Sequence, residues 1–77
     1  MYRLTEKRFA EFFKHQPETG MGYWVVTVVL KDGRRYDQAV VNSGCVTTVK
    51  NYRDVPFTED QIDHFIVTHD KWDWGYT

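Results

Sequence analysis

Residues 23–42 read YWVVTVVL-KDG-RRYDQAVVN, a stretch that is typical of a β-hairpin. Positions 23–30 hold β-branched and aromatic residues almost without interruption, which favours a strand. Residues 31–33 are a turn sequence, because Asp and Gly suit tight reversals of the chain. Residues 34–42 then return as a second strand. This stretch therefore predicts two neighbouring antiparallel strands.

The length of the turn sets the register of this hairpin. A two-residue loop at 32–33 would put Val28 opposite Asp37. A three-residue loop at 31–33, with its glycine in the left-handed conformation, puts Val28 opposite Tyr36. We expect the second register because it collects more apolar side chains on one face.

The expected register divides the hairpin into two faces, with Trp24 opposite Val40. One face collects Trp24, Val26, Val28, Leu30, Tyr36 and Val40. The other face holds Tyr23, Val25, Thr27, Val29, Asp37, Ala39 and Val41. The second face is more apolar than a solvated surface needs to be, and such a patch indicates a partner or a covering element.

Helices are predicted on both sides of the strands. Before them, Thr5 is expected to cap a helix that carries phenylalanines at positions 9, 12 and 13 and ends before Pro17. After them, Thr58 and Gln61 form a capping box. Apolar residues at 62, 65 and 66 continue with helical spacing, which predicts a second helix.

Together these patterns predict one α+β domain over residues 1–77. Residues 45–50 supply a third strand that continues the meander. The expected fold is a three-stranded antiparallel β-meander flanked by an N-terminal and a C-terminal α-helix (α-β-β-β-α), in two layers. Residues 71–77 form an aromatic tail, which is expected to be extended.

The composition favours a cytoplasmic protein. The chain has 77 residues, 42% hydrophobic, and a formal net charge of −1. Its single cysteine cannot form an internal disulfide, which is typical of a reducing compartment. Its longest apolar run, at 24–30, is too short to cross a membrane.

Candidate chemistry is sparse. Cys45 follows a Ser-Gly turn and starts a strand, where cysteine is commonly a small buried apolar residue. His64 and His69 are five positions apart, so on a helix they would point away from each other. Asp37 lies between apolar strand residues, where it is a buried acid or a cross-strand partner of a cation. We predict no catalytic, metal-binding or cofactor-binding residue and no cofactor.

The expected function is therefore a non-enzymatic protein–protein interaction module that binds a protein partner or a second copy of itself. The expected contact residues are Tyr23, Val25, Val29, Val41, Trp72, Trp74 and Tyr76. An alternative is a nucleic-acid-binding domain that uses Lys31, Arg34, Arg35, Lys50 and Arg53. A third is a small enzyme or enzyme subunit that uses Cys45 or Asp37. No membrane interaction is expected.

Overall fold

The computed structural model describes residues 2–69, which build a curled antiparallel sheet with one α-helix on it. The elements in chain order are β1 (Tyr2–Arg3), α1 (Lys7–Lys14), β2 (Tyr23–Leu30), β3 (Arg35–Asn42), β4 (Cys45–Val49), a single 3₁₀ turn (Glu59–Gln61) and β5 (Ile62–Val67). The five strands lie in the order β1-β4-β3-β2-β5. The prediction of a three-stranded sheet between two helices is therefore wrong, although β2, β3 and β4 do form a meander.

The β2–β3 hairpin has the three-residue loop that the sequence predicts. Gly33 has a φ of 95°, a conformation that suits glycine. The N–H of Leu30 donates to the carbonyl oxygen of Arg34 at 2.8 Å, and Val28 lies opposite Tyr36. The register at the turn end of the hairpin is confirmed.

A β-bulge changes the register at the other end of the hairpin. The pairing shifts between Val26 and Val28, where two residues of β3 face one residue of β2, so Trp24 lies opposite Val41 and not Val40. Because one extra residue reverses the alternation of faces, the predicted faces of Ala39, Val40 and Val41 are wrong. Ala39 and Val41 belong to the main core under α1, whereas Val40 packs with Val25 and Tyr23 on the opposite face.

The predicted C-terminal helix is a strand that follows one helical turn. The N–H of Thr58 donates to Gln61 Oε1 at 2.9 Å and the expected capping box exists, but the helix stops after Gln61. Residues 62–67 then pair with β2. Four of the seven residues from 62 to 68 are β-branched, which favours extended backbone.

A second bulge explains why the buried apolar residues of this strand are spaced as they would be on a helix. The pairing shifts between Val29 and Leu30, so Leu30 lies opposite Ile62 while Val29 lies opposite His64. The extra residue lets Ile62 and Phe65 both point into the core although they are three positions apart. A spacing of three is what an amphipathic helix would show.

Helix α1 packs on the sheet through Phe9 and Phe13, which are both buried. Their rings lie 5.0 and 5.1 Å from the ring of Phe65 on β5, and Phe13 also lies 5.1 Å from Trp24 on β2. These contacts are in the range where aromatic pairs attract each other. The predicted phenylalanine stripe is thus the face that α1 buries.

The N-terminus of α1 is held by a distant carboxylate and not by the predicted cap Thr5. The N-cap position is Glu6, whose side chain makes no capping bond. Glu59 accepts hydrogen bonds from the N–H of Thr5 (2.8 and 3.0 Å), the hydroxyl of Thr5 (2.7 Å) and the N–H of Glu6 (2.7 Å). The carboxylate thereby satisfies backbone donors that precede the first helical turn.

These contacts change the ionisation of Glu59, which is only 6% exposed. Burial alone would raise the pKa of Glu59, but the hydrogen bonds from Glu6 and Thr5 and the charge of Arg8 outweigh it. The net pKa lies below the ordinary value of 4.5. Because the folded state holds the ionised form, Glu59 stabilises the fold above the unfolded pKa. That contribution is lost as the pH falls through the lowered pKa.

We predict that Glu59→Gln lowers the free energy of unfolding at pH 7 by about 1–2 kcal/mol, the usual cost of losing a helix N-terminal cap. The variant should also lose less stability than the wild type between pH 7 and pH values below the unfolded pKa. Urea unfolding followed by circular dichroism measures both effects. Glu11→Gln, an exposed site on α1, is the matched control and should keep the wild-type pH dependence. An unchanged pH profile in Glu59→Gln would contradict the assignment.

Candidate binding cleft beside the helix

A cleft of about 390 Å³ lies between α1 and the sheet in the described part of the chain. We call it the α1 cleft. Its lining comprises Leu4, Phe9, Ala10, Phe13, Lys14, Glu18, Gly22, Trp24, Val41, Ser43 and Gly44. Most of this lining is apolar, and the volume falls at the lower end of the range for ligand sites, roughly 300–1,000 Å³.

Local sequence features build the α1 cleft. Ala10 is an exposed small residue between the buried Phe9 and Phe13, so α1 leaves space beside these rings. On β2, Trp24 is held in place because its indole N–H donates to the carbonyl oxygen of Gln16 at 3.1 Å. The far wall is the turn after β3, where Ser43 and Gly44 both have positive φ, as a two-residue hairpin turn requires.

The rim of the α1 cleft is polar and carries both signs of charge. Lys14 ends α1, and Glu18 follows in the loop that leads to β2. The same loop contains Met21, which is 98% exposed. Exposed methionine is common at surfaces that adapt to different apolar groups, because its side chain is flexible and polarizable.

The predicted partner-binding residues do not lie on one surface. Tyr23, Val25 and Val29 are on β2, and Tyr23 packs with Val25 on the face away from the main core. Val41 belongs to the main core and lines the α1 cleft. The tail residues Trp72, Trp74 and Tyr76 lie outside the described residues. The partner-binding role of the whole set stays a prediction.

Two of the predicted basic residues meet at a second, smaller cleft of about 210 Å³, which we call the Tyr52 cleft. Arg35 and Lys50 line it together with Tyr36 and Tyr52. Tyr52 is 47% exposed, and its ring makes an edge contact with Tyr36 at 5.4 Å. Cations beside an exposed aromatic ring are the elements of a single-strand nucleic-acid site.

The other predicted basic residues lie elsewhere or are already paired. Arg34 forms an ion pair with Asp32 at 2.8 Å at the hairpin turn, where Lys31 lines a different depression. Arg53 is exposed in the loop after Tyr52 and does not line either cleft. The backbone N–H of Arg34 donates to the carboxylate of Asp32 and is the main cause of a lowered pKa for Asp32. Desolvation opposes this effect, and the Arg34 side chain adds to it.

The two candidate catalytic residues differ in burial, because Cys45 is buried and Asp37 is exposed. Cys45 is 6% exposed at the start of β4, paired with Asn42 and with Arg3 of β1. The side chain of Asp37 is 78% exposed and lies 3.8 Å from Arg35 Nε, so Asp37 is a surface residue and not a buried acid. Within residues 2–69, no three His, Cys, Asp or Glu side chains come together as metal ligands would.

Sequence reasoning missed the α1 cleft because its walls look like ordinary core. Phe9, Phe13 and Trp24 do belong to the core, and only their exposed edges line the cleft. The available signal was the small residue Ala10 between two phenylalanines, together with a glycine, Gly44, in the opposite wall. Small residues that face large ones leave the space that a ligand can fill.

Comparisons with protein-family models, curated proteins and solved structures found no match to the chain. In the part of the chain that the structure describes, no helix has the length and apolar character needed to cross a membrane.

We predict that the thiol of Cys45 is protected in the folded protein. Its reaction with 5,5′-dithiobis(2-nitrobenzoic acid) should be at least about 100-fold slower in buffer than in urea, because the reagent reaches the buried sulfur only after opening. A Met21→Cys/Cys45→Ala variant is the control, since residue 21 is 98% exposed, and it should react at similar rates in both solutions. Equal rates for the wild type would contradict the burial of Cys45.

Proposed function

We propose that this protein is a non-enzymatic binding module of the cytoplasm whose α1 cleft receives an apolar side chain from a protein partner. The observation that carries the proposal is the cleft itself, about 390 Å³ in volume and lined by Leu4, Phe9, Phe13 and Trp24. Burial of apolar surface is the main source of affinity in such contacts, roughly 25 cal/mol per Å².

The mixed lining of the α1 cleft favours a protein segment over a small molecule. The cleft lies between one short helix and a turn, and both supply lining residues. Lys14 and Glu18 at its rim offer a cation and an anion to the polar groups that flank an inserted side chain. Met21 is exposed and adjacent in sequence to the lining residue Gly22, so its flexible side chain offers apolar surface to the same partner.

The proposal is tested with a displayed library of random peptides, selected against the full chain. We expect enriched peptides to share an aromatic or large aliphatic residue, since such side chains fill apolar pockets. Ala10→Trp should fill the α1 cleft and weaken their binding at least about tenfold. Calorimetry on synthetic copies of the enriched peptides measures the affinity.

Glu11→Trp is the matched control, because it adds the same side chain to the neighbouring exposed position of α1, outside the cleft. It should leave the affinity unchanged. Enriched peptides that bind Ala10→Trp as well as the wild type would show that another surface binds them. Binding of apolar dyes without any enriched peptide would contradict a protein partner.

A second candidate function, single-stranded nucleic-acid binding, is supported by the Tyr52 cleft. The exposed ring of Tyr52 is accessible for stacking on a base, and Arg35 and Lys50 line the same cleft, where they can contact phosphates. Asp37, 3.8 Å from Arg35, opposes this by adding negative charge to the same surface. Two cations make a small electrostatic contribution, so this candidate ranks second.

For this candidate we expect fluorescence anisotropy with labelled dT and U dodecamers to show weak binding that falls with added salt. Arg35→Ala and Lys50→Ala should each reduce the log–log salt dependence by about one unit, the effect of one lost phosphate contact. Lys7→Ala, an exposed cation on α1, should not change it. No binding at low salt, or equal effects of all three variants, would refute nucleic-acid binding through the Tyr52 cleft.

A further inference from the structure

Among the described residues, no strand pairs with the outer edge of β5, and an exposed isoleucine lies on this strand. β5 has six residues, whereas the strand at the other edge of the sheet, β1, has two. Ile66 is 40% exposed, one of three large hydrophobic residues that are exposed among those described. Edge strands of this length are usually protected by lysine, proline or a covering element, because unpaired backbone groups recruit other strands.

Within residues 2–69, only the first part of this edge is protected. The guanidinium of Arg8 donates to the carbonyl oxygens of Ile62 (2.8 Å) and Asp63 (2.7 Å). The guanidinium of Arg8 therefore occupies the position beside these two carbonyls that another strand would take. No comparable contact is recorded along residues 64–67, within the part of the chain that is described.

The register with β2 identifies which backbone groups point outward. The N–H of Thr68 donates to the carbonyl oxygen of Val25 at 3.1 Å. Antiparallel strands bond through alternate residues, so Ile66 and His64 also use their backbone groups toward β2. The backbone groups of Phe65 and Val67 are then directed away from the sheet.

We propose that β5 pairs antiparallel with β5 of a second copy of this chain, with Ile66 opposite Ile66 at a two-fold axis. In this register Phe65 of each copy lies opposite Val67 of the other, and these are the residues whose backbone groups point outward. Four N–H and C=O groups on each side can thus bond in a closed set. The contact is separate from the α1 cleft, whose lining includes no residue of β5.

Self-complementarity is the reason for choosing a second copy as the occupant. A two-fold axis brings the same patch together from both copies, so the exposed Ile66 meets an identical apolar side chain. The antiparallel arrangement also brings the Asp63 end of one β5 alongside the His69 end of the other, so no two acids meet at either end. Asp63 Oδ2 lies 2.6 Å from His64 Nδ1 of its own chain, and His69 Nδ1 lies 2.8 Å from Thr19 Oγ1. No like charges face each other along residues 64–67, where the only ionisable group is His64.

The first test is the mass of the full chain in solution, measured by sedimentation equilibrium. At about 100 μM, where mass action favours association, we expect twice the chain mass of 9.2 kDa. Ile66→Lys should weaken the dimer at least about tenfold, because two like charges would stand directly opposite each other. Met21→Lys replaces another exposed hydrophobic residue and should remain dimeric. A monomeric wild type, or a dimer unaffected by Ile66→Lys, would overturn the proposal.

The second test fixes the register and does not depend on the stability of the lysine variant. In a Cys45→Ala background, Ile66→Cys should form a disulfide-linked dimer on mild oxidation. Opposite residues of this type lie about 4.5 Å apart at Cα, within disulfide range. His64→Cys in the same background is the matched control and should stay monomeric on a denaturing gel, because residue 64 faces Thr68 of the second copy. Cross-linking at 64 and not at 66 would refute this register.

Discussion

The carboxylate of Glu59 connects two parts of the chain that are 54 residues apart in sequence, by hydrogen bonds to Thr5 and Glu6. These bonds hold the N-terminus of α1 against the 3₁₀ turn that precedes β5. A second bond at the same place, from the N–H of Glu59 to the hydroxyl of Tyr2 (2.9 Å), ties β1 into the cluster. Helix α1 has eight residues, too few to be stable alone in water. Its position, and with it the α1 cleft, depends on this carboxylate and on the phenylalanines beneath it.

The sequence predicts the centre of the sheet well because the interactions there are local. The turn at Gly33 and the pairing of Val28 with Tyr36 need only neighbouring residues to be specified. The stripe that contains Phe9 and Phe13 likewise predicts which face of α1 is buried. The prediction fails where one extra residue interrupts a strand. The bulge on β3 moves Val40 and Val41 to the opposite faces, and no local residue pattern marks that bulge.

The prediction of a C-terminal helix fails for a different reason. A capping box at Thr58 and apolar residues at 62 and 65 are evidence for a helix in any single sequence, and the first turn does form. The strand that follows is stabilised by its pairing with β2 and by the burial of Ile62 and Phe65, and these interactions are non-local. The role of Glu59 could not be predicted for the same reason. An acid in a first helical turn is expected to interact with the dipole of its own helix, whereas Glu59 accepts hydrogen bonds from Thr5 and Glu6 at the start of α1.

The hydrogen bonds from Arg8 to the edge of β5 also limit how far this protein can assemble. One end of the sheet is the two-residue β1, which offers too little backbone to recruit a further strand. The other end is half closed by a guanidinium that takes the carbonyl oxygens of Ile62 and Asp63. A sheet with one usable edge can be joined once and not repeatedly. Open-ended growth into a fibre needs two usable edges, and the two-residue β1 makes strand addition at its edge unfavourable, even though the strands are rich in valine and isoleucine.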